Sequence, residues 1–391
     1  MSDALPHHRE SEIGSGSARG WVRRRVLVGG LVVSAAALAA ANRFAGVGGA
    51  TLSDWSAGDG SQEDWRAFKA GFIAPEGRVV DTGNQGVTHS EGQGYALLFA
   101  EYFNDRESFD RLLAWTRTNL RRPTDALHAW RYRPRASVPV DDINNATDGD
   151  LLIALALLRA GQRWSAPDYT DAGRAIGTDL LRLCVHEVDG ARVLLPAAFG
   201  FEHTGRVVIN PSYYVFPALA ALSVAVPDPA WAALRADGLR ILRQARFGHW
   251  RLPADWLQIA NGSLANLAPA EGWPARFSWD AVRVPLHLAW AGLREEPALG
   301  AAADFWAAPR SLPGGGRVPA WADLETGSVA TTPASRGVGA IAQVARAARG
   351  SLAVPDLPHV RNAEDYYSAA LMLLSRVVWQ ETRANLIAAA G

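Results

Sequence analysis

From about Leu52 onward, apolar residues recur at helical spacing through one segment after another, with no obvious linker between them. That periodicity predicts helices near 62–73, 91–103, 107–120, 148–161, 167–184, 211–223, 228–245, 285–293, 297–307, 335–348 and 362–379. Strand-like runs are few and short, and ARVLLPAA and RVVINP suit loops or small hairpins. Such a chain must pack helix on helix. Several helix starts also carry a polar signature. Ser90 with Gln93 reads as a capping box, and Thr147 as an N-cap with Asp148 and Asp150 in the following turn. Asn210–Pro211 reads as an N-cap and first-turn proline, and Asn362 with Asp365 comes close to a capping box.

The polar starts at 90, 147, 210 and 279 stand roughly 55–70 residues apart, room for a helix, a returning helix and loops. Each therefore opens a new helical hairpin. If alternate helices run parallel, these starts gather at one end of the domain around a shallow basin. The expected fold is all-α, an (α/α)6 barrel of helical hairpins with small irregular or β-hairpin loops. A helical solenoid is the alternative, but no fixed-length repeat supports it.

Composition narrows the function. Thirty-nine basic residues balance 39 acidic ones, so no electrostatic footprint for nucleic acid or an anionic membrane is expected. An apolar content of 49% is ample for a substantial core. Cys184 is the sole cysteine, which excludes an intramolecular disulfide and any Cys-rich metal site. Its surroundings, DLLRLCV, predict a buried, inert thiol. The nine histidines form no HExxH spacing and a GxSxG elbow is absent. Neither a catalytic metal, nor a nucleophilic serine, nor a cofactor is expected. The 15 tryptophans would make flat platforms for sugar rings.

The N-terminus reads as an address. Arg23-Arg24-Arg25 precedes an apolar run from Val26 to about Ala41, then small residues, the layout of an export signal. The paired arginines also fit a twin-arginine signal without completing its strict consensus. The expected layout is a leader over 1–50 and a single catalytic domain over 51–391, with the mature chain starting between about Ala41 and Leu52. A periplasmic or secreted location follows. An uncleaved membrane anchor is the alternative, although the apolar run is short for a spanning helix.

At ATDGDLLIALALLRAGQRW, residues 146–164, the chain resembles glycoside hydrolase family 8 position by position. SEGQGYALLFA resembles the segment carrying that family's general acid, and WPARFSWDAVRVPLHLAW the segment carrying its general base. GRVVDTGNQGVTHSEGQGY, NPSYY and DYYSAALMLL are similar to the endoglucanases that accompany bacterial cellulose synthases. The resemblance spans roughly residues 55–380. It implies an exported, inverting endo-β-1,4-glucanase acting on cellulose or a related β-glucan, with the cellulose synthase machinery as a possible partner.

Glycoside hydrolysis needs a protonated carboxyl for the leaving oxygen and a carboxylate to activate water. Glu91 is the candidate acid, Asp280 the base, and Asp148 a third acid that by resemblance binds the sugar at the cleavage point. Since a helix N-terminus favours the ionised form, Glu91 needs shielding or neighbouring carboxylates. Gly92 and Gly94 would leave room for a sugar, and Tyr95 would orient the site. Ser278 would cap a turn beside Asp280, Arg283 would stabilise that acid, and Pro285 places it before a helix. Asp150 reads as a capping or scaffold residue. Tyr95, Trp130, Tyr213, Asp255, Trp256, Arg283 and Tyr367 are candidate substrate contacts; Tyr214 and Tyr366 are cleft aromatics of the same kind, with one member of each tyrosine pair expected to be buried. A non-catalytic polysaccharide binder, or action on chitosan, xylan or mixed-linkage glucan, are the competing readings.

Overall fold

The computed structural model describes residues 59–308, 318–350 and 354–390; the expected export signal lies outside them. They fall within one compact unit, Ser56–Gly391, and the structure is mostly helical. Its α-helices are α1 (Asp59–Phe72), α2 (Ser90–Tyr102), α3 (Arg106–Asn119), α4 (Thr147–Arg163), α5 (Pro167–Cys184) and α6 (Phe216–Ala225). They continue with α7 (Pro229–Gln244), α8 (Arg283–Trp290), α9 (Pro297–Ala307), α10 (Arg336–Arg349) and α11 (Tyr366–Ala390).

Helix α2 packs on α4, α4 on α6, α6 on α8, α8 on α10, α10 on α11, and α11 back on α2, so the series closes. Helices α3, α5, α7 and α9 each return against the one before them, and α1 lies against α11. No returning α-helix separates α10 from α11 among the described residues, where a 3-10 turn, Val360–Asn362, packs on α1 instead. The C-terminal halves of four of these helices share one network. Glu101 of α2, 1% exposed, takes Arg159 at 2.7 Å and Arg163 at 2.6 Å from α4. Arg159 also reaches Glu381 of α11 at 2.7 Å, and Trp290 of α8 donates to Glu381 at 2.6 Å. These helices therefore run parallel, which brings their N-termini together at the other end.

Two capping signatures are spent differently. Ser90 and Thr147 are already the first helical residues, behind His89 and Ala146, and neither start has a side-chain cap. Gln93 instead accepts from the Val79 amide at 2.7 Å and donates to Thr116 Oγ1 at 2.7 Å. Thr147 Oγ1 donates to the Leu195 carbonyl at 2.7 Å. Buried side chains satisfied long-range partners, where burying an unpaired polar atom costs more than an uncapped helix turn. Asn210 does cap, but over the 3-10 turn Pro211–Tyr213, and α6 starts only at Phe216. Asp365 rather than Asn362 caps α11, accepting from the Ser368 amide at 2.8 Å.

The strands exceed the expected hairpins. The RVVI of RVVINP is an inner strand of a four-stranded antiparallel sheet made of Glu202–His203, Arg206–Ile209, Leu257–Ala260 and Leu267–Pro269, in that order. ARVL pairs in a hairpin with Val185–Val188. Glycines set the approach of α2 to α4. A Cβ on Gly94 would stand 2.6 Å from Leu152 Cβ, and one on Gly149 would overlap Ser90 Oγ and stand 2.7 Å from the Glu91 amide. Gly92 likewise faces Tyr366 Oη, at 2.5 Å from such a Cβ. Gly92 and Gly94 thus make room for α11 and α4, not for a sugar.

Candidate active site

The close approach of α2 and α4 puts Glu91 and Asp148, each in a first turn, side by side. Asp280 joins them from the turn before α8, where Pro285 sits in the first turn that its missing N–H tolerates. Arg283, the first residue of α8 and 3% exposed, holds the three together. One end of its guanidinium contacts Glu91 and lies 3.4 Å from Asp148; the other reaches Asp280 at 2.7 Å and Ser212 Oγ at 2.9 Å. Four separated chain segments meet on one cation.

One buried cation cannot hold three carboxyls ionised. Burial, with Asp150 nearby, pushes Asp148 up to about 7. Burial also pushes Asp280 well above the usual carboxylate range, and the Asp255 and Asp148 carboxylates add to it. The same burial draws Arg283 down. Such groups exchange protons as a set.

Asp150 belongs to the scaffold. Fully buried, it accepts from the His128 backbone amide at 3.0 Å and from Asn145 Nδ2 at 3.0 Å, and pairs with His128 Nδ1 at 2.8 Å. Tyr95 is 0% exposed and donates to Glu91 at 3.2 Å; it supports the acid from beneath and cannot touch a substrate. Arg283, similarly buried, meets the acids and offers little surface of its own. Asp255 is buried too, turned into the protein against the 278–281 turn. It is Asp255 that caps this turn, and Ser278 donates to it. The structure therefore corrects the substrate-contact reading for Tyr95 and Asp255. Cys184 is fully buried, its thiol pushed up to about 11 by that burial.

Aromatic rings line the surroundings. Trp130 stacks on His89 with centroids 5.9 Å apart, carries the Arg131 guanidinium at 4.3 Å, and donates to Asp142 at 2.9 Å. Trp256 is stacked between Phe201 at 5.8 Å and Trp273 at 5.3 Å, with Tyr213 edge-on at 6.3 Å. Tyr213 and Tyr367 are partly exposed while Tyr214 and Tyr366 are buried, as expected of those pairs. Tyr367 donates to the Trp279 carbonyl at 2.6 Å. Trp279, 61% exposed with its ring 6.1 Å from Tyr367, is missing from the sequence-derived candidates; its place directly before Asp280 was the available signal. Ser212 and Asn210 were also missed as side chains of the site. Among the described residues no three His, Cys, Asp or Glu side chains stand close enough to hold a metal ion.

Comparison with known proteins agrees with this architecture. The family described as Glycosyl hydrolases family 8 matches residues 41–381. A probable endoglucanase of Novacetimonas hansenii is 44% identical over 316 residues, covering 81% of this chain and 90% of that one. An endoglucanase of Cellulomonas uda is 41% identical over 271 residues, 69% of this chain and 73% of its own. Among solved structures, the endo-β-1,4-glucanase CMCax from Acetobacter xylinum superposes with a TM-score of 0.77 at 42% identity, over 83% of this chain and 99% of that one. With three acids gathered at the helix starts and a family match over nearly the whole described chain, this protein belongs to glycosyl hydrolase family 8.

Proposed function

We propose that this chain is an exported, inverting endo-β-1,4-glucanase built on an (α/α)6 barrel, with Glu91 as general acid, Asp280 as general base and Asp148 holding the sugar at the cleavage point. The observation that carries the reading is the gathering of Glu91, Asp148 and Asp280 on the single guanidinium of Arg283. A polysaccharide binder needs aromatic platforms but no such set of acids. Its substrate would be cellulose or a soluble β-glucan, and cellulose synthesis its physiological setting.

In the proposed reaction the Glu91 carboxyl gives its proton to the glycosidic oxygen as that bond breaks. Asp280 takes a proton from water while the water oxygen bonds to the anomeric carbon from the opposite face. The donor must carry its proton, so the Arg283–Glu91 contact has to give way when a sugar enters between them. Arg283 then remains with Asp280 and Ser212, keeping the base in place. The raised proton affinity of Asp280 strengthens it as a base, and Asp148 supplies a buried hydrogen-bonding group for a ring hydroxyl. Inversion needs carboxyl groups roughly 6.5–9.5 Å apart, a retaining pair about 5–5.5 Å.

Two measurements test this. Glu91→Gln and Asp280→Asn should each lower kcat on carboxymethylcellulose by at least about 100-fold in a folded protein. Activity within tenfold of wild type removes that residue from the mechanism. Proton NMR of the first-formed product should show the α-anomer; an initial β-anomer refutes the assigned roles. Parallel assays on chitosan, xylan and lichenan rank the substrates.

A further inference from the structure

We propose that Ser212 and Asn210 are positioning residues, a neutral hydrogen-bonded chain that anchors Arg283 on Asp280 while Glu91 lets go; this rests on Asp280 being the base and Glu91 the acid. The two ends of the guanidinium are held differently. Nη1 contacts Glu91 and lies 3.4 Å from Asp148. Nη2 donates to Asp280 Oδ1 at 2.7 Å and to Ser212 Oγ at 2.9 Å. Three of these partners are carboxyls and Ser212 is the neutral one. The donor and acceptor roles along the chain are unambiguous. An amide N–H only donates, so the Asn210 atom that the Ser212 amide meets at 3.0 Å is its carbonyl oxygen. The Ser212 hydroxyl gives its single proton to the same oxygen at 2.7 Å. Toward Arg283, whose N–H groups also only donate, Ser212 Oγ is therefore purely an acceptor. The two bonds polarise each other, and they add no charge to a set of acids that already shares one cation.

The anchor stands on a different part of the fold from the acid it opposes. Asn210 directly follows the strand Arg206–Ile209, whose Ile209 pairs with Leu257. Its side chain caps the 3-10 turn that Pro211 opens, and Ser212 sits in the middle of that turn. Glu91 and Asp148 belong to α2 and α4. Breaking the Glu91–Arg283 contact therefore leaves strand and turn in place, and Nη2 keeps both of its partners. Ser212 and Asn210 are each 0% exposed, so neither touches a sugar, and Ser212 acts on the reaction through Arg283. Without the Ser212 hydroxyl the guanidinium has only carboxyls to choose among. Glu91 and Asp148 then compete with Asp280 for it, and the donor is held harder while the base is held less well.

Ser212→Ala and Ser212→Cys both remove the hydroxyl acceptor, and the second nearly keeps its volume. Each should lower kcat on carboxymethylcellulose by about 10- to 100-fold, the worth of a hydrogen bond to a buried charge. KM should stay within about threefold, because the lost bond belongs to the reacting groups and not to sugar binding. A role in packing alone would impair Ser212→Ala and spare Ser212→Cys. A loss of kcat below about tenfold in folded Ser212→Cys therefore overturns the proposal, as does a loss carried mainly by KM. If only one of the two variants folds, it decides by the same limits. The underlying reading fails separately: an active, folded Asp280→Asn removes the base, whereas an inactive Asp280→Asn beside undiminished Ser212 variants sinks only the anchor.

Discussion

Replacing Asp148 by Asn should make the free protein more stable at neutral pH while damaging catalysis. Asp148 is 4% exposed, and burial lifts it from 3.8 to about 7. A carboxyl raised on folding contributes stability that is fully present below its unfolded value, near 4, and lost as pH climbs through its folded value, near 7. About three units at about 1.36 kcal/mol each give roughly 4 kcal/mol, an upper bound because structure relaxes around a buried charge. Asn does not titrate, so the variant escapes this loss. About 320 described residues at about 2.1 cal/mol/K each give an unfolding entropy near 0.7 kcal/mol/K, so the full amount is about 6 °C in Tm and half of it about 3 °C. The assay is thermal or urea unfolding of both proteins at pH 4, 5, 6, 7 and 8. The difference, variant minus wild type, should grow between pH 4 and 7 in favour of Asn and then level off. A difference that stays flat across this range, or that shrinks as pH rises, would falsify the claim that Asp148 is held protonated by burial.

The other predictions concern packing and address. Gly149→Ala places a methyl against Ser90 Oγ and 2.7 Å from the Glu91 amide; pushing α2 from α4 should lower kcat by about 100-fold and stability by about 1–3 kcal/mol. Wild-type kcat in that variant removes the helix contact as the device that seats Glu91. Glu101→Gln leaves Arg159 and Arg163 without their shared carboxylate and should destabilise by about 3 kcal/mol, with the activity of the folded fraction retained because the network lies at the far end of the helices. Cell fractionation with N-terminal sequencing should find a chain starting between about Ala41 and Leu52 outside the cytoplasm; full-length protein in the cytoplasm refutes export.

Local pattern carried much of this protein. Helix existence was legible because the apolar period of a packed helix is written residue by residue, and the segments around Glu91, Asp148 and Asp280 could be picked out by their acids at helix starts. Pro285 alone placed Asp280 ahead of its helix, since a ring without an N–H is tolerated only in a first turn. Side-chain partnerships were not legible. Ser90, Gln93 and Thr147 have the residue types of caps, yet Gln93 bolts α2 to α3 and Thr147 holds the Leu195 carbonyl. Gly92 and Gly94 read as space for a ligand, but the space is filled by Tyr366 and α4. Asp255 read as a substrate contact and proved to be turned inward on the loop of Asp280. In each case the deciding partner lies far along the chain or on another helix, so no local window contains it. The same holds for the shared guanidinium of Arg283: sequence places it three residues after Asp280, but only the closing of α2, α4 and α8 on one another brings Glu91 and Asp148 to its other end. Pattern dictates which faces must be buried; which polar atoms then meet depends on long-range packing, where leaving a buried group unpaired is too costly to be settled locally.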